Sequence, residues 1–107
     1  HVRASGPTPS RSQGSAVGGG GSTSISGSDL AGTVNINTGN SPAAGCFVTV
    51  NFVQDYSSTP RVIISPVGAT AGQIQYYVTL NTSSFSICTA SAAPGGRSFA
   101  YDYWIVN

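Results

Sequence analysis

Residues 98–107 read SFAYDYWIVN, and the way this stretch alternates decides the fold. Successive side chains of an extended strand point to opposite faces. Phe99, Tyr101, Tyr103 and Ile105 therefore share one face, and Ala100, Asp102, Trp104 and Val106 share the other. The first set is the core-facing side of a closing β-strand. The second set is less ordinary. The outward face of a small domain should be polar, yet Trp104 and Val106 stand there beside Asp102. Two large apolar side chains on that face predict that a second surface covers them.

The same two-residue period recurs upstream. GTVNINTG at 32–39 sets Val34 and Ile36 against Asn35 and Asn37, and CFVTVNFV at 46–53 places Cys46, Val48, Val50 and Phe52 together. PRVIISP at 60–66 is a short, nearly continuous apolar run between two prolines. QIQYYVTL at 73–80 sets Ile74, Tyr76, Val78 and Leu80 against Gln75, Tyr77 and Thr79, and FSICTA at 85–90 sets Phe85 and Ile87 against Cys88. These runs are rich in β-branched and aromatic residues, as strands require. The segments between them, TGNSPAAG, QDYSSTP, VGATAG, NTSS and SAAPGGR, are turn chemistry. No stretch shows a 3.6-residue period, so no helix is expected. The prediction is an all-β domain: a compact antiparallel β-sandwich, jelly-roll-like or a small barrel, of six to seven strands over residues 29–107.

Residues 1–28, HVRASGPTPSRSQGSAVGGGGSTSISGS, have a different composition. Gly, Ser and Pro dominate, and Val2, Val17 and Ile25 are almost the whole apolar content. This reads as an extended arm or inter-subunit linker. GGGGST lacks the lysine of a phosphate-binding loop. An arm with so few side chains to bury is expected to wrap along a neighbouring subunit rather than to fill a groove as a donated strand. Val2, Val17 and Ile25 join Trp104 and Val106 as candidate interface residues.

Charge is scarce. Seven of 107 residues are charged: Arg3, Arg11, Arg61, Arg97, Asp29, Asp55 and Asp102. A soluble domain commonly carries about 25%. The net charge of +1 and the scattered arginines argue against a nucleic-acid partner. A neutral, hydroxyl-rich surface lets many copies pack without like-charge repulsion, and it suits an extracellular particle or fibre. The chain starts at His1 without a methionine, which is expected of a processed chain. It contains no signal-peptide pattern and no apolar run near the ~20 residues needed to span a membrane.

The two cysteines, Cys46 and Cys88, leave alternatives open. Paired, they would close a loop of roughly 40 residues worth about 4 kcal/mol in the chain-entropy model. Unpaired, they would be two small buried thiols. Strand parity counts against pairing, because Cys46 shares the core face of its strand and Cys88 opposes the core face of its own. A bridge would need a bulge or a strand buried on both faces.

Catalytic chemistry is not visible. The lone histidine is His1, the three aspartates are far apart in sequence, and there is no glutamate. No metal-ligand spacing, paired-carboxylate arrangement or nucleophile elbow occurs. The chain is expected not to be an enzyme and to need no cofactor. Asp29 and Asp55 read as turn residues, and Asp102 as an outer position or an arginine partner. Asn81 begins NTS, which fits a glycosylation acceptor and equally a polar turn.

From residue 27 onward the chain resembles a small β-domain found in bacteriophage tail-fibre-like proteins and in repetitive bacterial surface proteins. Gly27, Asp29, Ala31, Gly32, Thr33 and Val34 match its opening motif, and Thr38 and Gly39 its first turn. Phe52, Tyr56, Pro60 and Val62 match its middle, and Tyr77 and the Tyr103–Val106 end match the remainder. The resemblance implies an all-β module of extended, often trimeric, extracellular fibres or virion appendages, with no catalytic residues, so the expected partners are copies of itself in a filament or trimer. The expected function is a structural subunit of an extracellular homopolymeric filament or fibre, assembled through the β-domain and an ordered N-terminal arm. The alternative is a receptor- or glycan-binding module of a tail fibre or adhesin. Tyr56, Tyr77, Trp104 and Arg97 would be its ligand-binding residues, because aromatic faces stack on sugars and dominate protein contacts.

Overall fold

Two four-stranded antiparallel sheets face each other in the computed structural model, which describes residues 7–106. The strands are β1 (Ser10–Gln13), β2 (Ser22–Gly27), β3 (Ala31–Asn37), β4 (Gly45–Asn51), β5 (Arg61–Val67), β6 (Tyr76–Leu80), β7 (Ser84–Thr89) and β8 (Ser98–Val106). One sheet has the order β1-β4-β7-β6 and the other β2-β3-β8-β5. The all-β sandwich expected from the alternation is what the chain forms, with eight strands instead of six to seven. Consecutive strands β3 and β4 lie at the centres of opposite sheets, as do β7 and β8.

The core lies between the sheets and is aromatic. Phe99, Tyr101, Tyr103 and Ile105 of β8 all point inward and are buried, as the alternation requires. Rings of β8 meet rings of the other sheet: Phe47 with Phe99 at 5.5 Å, Tyr76 with Tyr101 at 5.0 Å and Phe85 with Tyr103 at 5.2 Å. Such pairs add about 0.5–1.5 kcal/mol each beyond their buried area. Val34, Ile36, Val48, Val50 and Ile87 fill the space between them.

The segment expected to be an extended arm or inter-subunit linker is, from Ser10 to Gly27, part of the chain's own sandwich. β1 pairs with β4 and β2 with β3, and both form sheet edges. Main-chain pairing needs no apolar side chains, so a Gly/Ser-rich composition hides it. Thr23 and Ile25 alternate inward, and a 3₁₀ turn at Ser15–Val17 buries Ala16 and Val17. The chain passes from one sheet to the other through Gly18, at φ 83°. A side chain on the facing Gly39 would collide with the Gly19 carbonyl.

One further expectation is revised, and the alternatives left open for the cysteines are resolved. A helix does exist: α1 (Ala69–Gln73) follows Gly68, whose φ is 87°. Five residues are too few to display a helical period in sequence. Its Ala71 carbonyl accepts the buried Tyr101 hydroxyl at 3.1 Å. The cysteines do pair, and Cys46 lies directly across from Cys88 in the β4–β7 ladder. The parity objection fails because a β-bulge at Phe47 shifts the register between Cys46 and Val48. Phe47, Val48 and Val50 then all reach the core while Cys46 turns to the other face.

Candidate functional site

The most constrained polar cluster surrounds the β2–β3 turn. The Asp29 carboxylate accepts the Val53 amide at 2.9 Å on one oxygen and the Gln54 amide at 3.0 Å on the other. The Tyr56 hydroxyl donates to the Asp29 carbonyl at 3.0 Å, and the Tyr103 hydroxyl donates to the Ser28 carbonyl at 2.5 Å. Gly32 must lack a side chain, since a Cβ there would come within 2.6 Å of the Tyr103 hydroxyl. Burial pushes the Tyr103 phenol up to about 12, with smaller contributions from the nearby Asp29 and Tyr56. Tyr56 is raised for the same first reason and by Asp29.

Beside this cluster is a cleft of about 240 Å³ between Pro7, Leu30, Val53 and Tyr56. Small-molecule sites commonly have about 300–1,000 Å³ and offer unengaged polar groups. Here both carboxylate oxygens and the Tyr56 hydroxyl are already bonded within the chain. The arrangement is a clasp: it ties the β2–β3 turn to the loop after β4, and Tyr103 anchors it from the core.

The outward faces of the two sheets differ. On β1-β4-β7-β6 the register aligns Ser12, Thr49, Ser86 and Thr79 in one row, and Ser10, Asn51 and Ser84 in the next. Hydroxyls bond across strands, Thr49 to Ser86 at 2.8 Å. The disulfide lies on this same face, with Tyr77 beside Cys88 in register. On β2-β3-β8-β5 the rows change character along the strands. Asn37, Ser22 and Ser98 form a bonded polar row at one end. Towards the other end Ala31, Trp104 and Ile63 make one row, and Val106 stands beside Arg61 in the next. Trp104 is 53% exposed, Ile63 51% and Val106 41%.

Trp104 and Val106 thus sit together on an uncovered face, with Ile63 as a third member. Ile63 was legible only in part. PRVIISP is apolar on both faces, but the sequence does not say that β5 lies against β8. Val17 does not serve an interface, because it is buried in the chain's own core, and Ile25 is half-buried against that core from β2. Val2 lies outside the described residues.

The four ligand-binding candidates do not converge. Tyr56 belongs to the clasp, Tyr77 lies on the outer face of one sheet and Trp104 on the outer face of the other. Arg97 precedes β8 at the end remote from Trp104, where its backbone N–H and carbonyl bond Thr38. Asn81 is a turn residue: its side-chain oxygen accepts the Ser83 and Ser84 amides, each at 2.9 Å. Among the described residues no helix is long and apolar enough to cross a membrane. Comparison with known protein families, with characterised proteins and with solved structures finds no match to this chain.

Proposed function

We propose that this domain is a self-associating structural module, a subunit of an extracellular homopolymeric filament or fibre. The observation that carries the reading is the exposed Trp104–Ile63–Val106 surface, where three large apolar side chains adjoin on neighbouring strands of one face. A monomer gains nothing from leaving its only tryptophan half in water, whereas association removes that area at about 25 cal/mol per Å². The scarcity of charge favours close packing of identical copies. The disulfide is compatible with an oxidising, extracellular setting. The resemblance to fibre-associated β-domains points the same way. A receptor- or glycan-binding role is the competing reading, and the dispersal of Tyr56, Tyr77, Trp104 and Arg97 weighs against it.

Light scattering and negative-stain microscopy over a concentration series test the proposal. Concentration-dependent oligomers that disappear in Trp104→Ser support it. A protein that stays monomeric at millimolar concentration, and that binds a glycan array through Trp104, refutes it.

A further inference from the structure

The outer face of β2-β3-β8-β5 carries only two charged residues, Arg61 and Asp102. The register places them on opposite sides of the Trp104–Ile63 row. Arg61 is one row towards the Val106 end, and Asp102 one row towards the polar end, between Thr33 and Ser65. Rows are about 6.6 Å apart along the strands and neighbouring strands about 4.8 Å apart. Among the described residues Arg61 has no hydrogen-bonding or charged partner, and Asp102 accepts only the Thr33 hydroxyl, at 2.6 Å. Opposite charges flanking one apolar row make the face self-complementary about that row.

We propose that this face is covered by the same face of a second copy, related by a two-fold axis along the Trp104–Ile63 row. This rests on the self-association reading above. Such an axis exchanges the rows on either side of it while keeping each strand over its own copy. Arg61 then lies over Ser65 of the second copy, within a long side chain's reach of that copy's Asp102, and the contact occurs twice. Trp104 and Ile63 lie on the axis and meet their own counterparts, shielded from water. The footprint of three strands over these rows is on the order of 300 Å² per copy. Stable pairs bury about 800 Å² per partner, so the pair is weak by itself, and because a two-fold contact closes on itself a filament needs a second surface besides this one.

Charge exchange tests the pairing. Sedimentation and light scattering across a concentration series would be run on Arg61→Asp, Asp102→Arg and the double variant, with thermal melts to confirm folding. Each single variant should weaken association by about tenfold or more, and the double variant should restore it to within about threefold, because the reversed charges meet again. Position on the axis gives an independent readout. Ile63→Cys chains should bridge to one another on oxidation, and Val67→Cys chains, two rows away, should not. Association that is indifferent to all three charge variants, with no Ile63→Cys bridge, overturns the two-fold pairing while leaving self-association through another surface intact. A wild-type chain that never associates overturns both.

Discussion

The two outward faces of the sandwich share one core and one pleat, yet only one is complete in the single chain. On β1-β4-β7-β6, hydroxyls and amides bond to each other across the strands and the disulfide spans the central pair. Tyr77 is the exposed aromatic on this face. On β2-β3-β8-β5 the far end is tied in the same way, with Asn37 bonded to Ser22 and to Ser98, and Val67 is the exposed apolar residue of the row beside it. Beyond Asp102 that pattern stops, and apart from Arg61 the exposed large side chains are apolar. The difference separates what stabilises the monomer from what is left for a partner. Changes on the first face should act on folding, and changes at the apolar end of the second should act on association.

The largest expected effect is on the complete face. Cys46→Ser with Cys88→Ser releases a bridge spanning 42 residues, which in the chain-entropy model costs about 4 kcal/mol. Calorimetry should show a melting temperature lower by about 15–30 °C. A loss under about 1 kcal/mol would mean that the ladder fixes the bulge without the bridge.

Next is the alkaline limit, set behind the incomplete face. Tyr103 titrates near 12 in the folded chain and near 10 unfolded. Tyr101 is also raised, by burial first and Tyr76 second. A raised folded value means that this contribution is full below pH ~10 and is lost as pH rises towards ~12. Tyr103 alone then accounts for on the order of 2 kcal/mol. Tyrosinate absorbance should rise in step with loss of the β-sheet circular dichroism signal. Titration of every tyrosine near pH 10 with the sheet intact would contradict the burial.

Tyr103→Phe should cost about 1–2 kcal/mol, because it leaves the buried Ser28 carbonyl without its donor. Urea unfolding measures this, and association should be unchanged. The smallest stability effects are at the surface. Trp104→Ser should alter monomer stability by under about 0.5 kcal/mol yet abolish association. Thr49→Val on the opposite face should leave association intact. If Thr49→Val disrupts assembly and Trp104→Ser does not, the assignment of the two faces is reversed.

Much of the fold is legible in local alternation. The inward set of β8, the hairpin at Asn81 and the turns between strands follow from residues a few positions apart. The surplus on the outer side of β8 is legible for the same reason, since Trp104 and Val106 break the polar pattern of their own strand. The clasp is legible only as separate pieces. Asp29 reads as a turn residue, and nothing near it announces the Val53 and Gln54 amides it accepts.

Strand period and core face are properties of neighbouring residues, and the sequence by itself determined them. Pairing is not such a property. The tertiary structure alone decided that Ser10–Gln13 and Ser22–Gly27 are edge strands, because their stabilising bonds are made by main chain to distant strands. It alone let Cys46 meet Cys88, because one extra residue at Phe47 turns the side chains that precede it to the other face. It also brought Ile63 beside Trp104, because β5 and β8 are joined only by register. Alternation says which way a side chain points, and only the assembled sheets say what stands next to it.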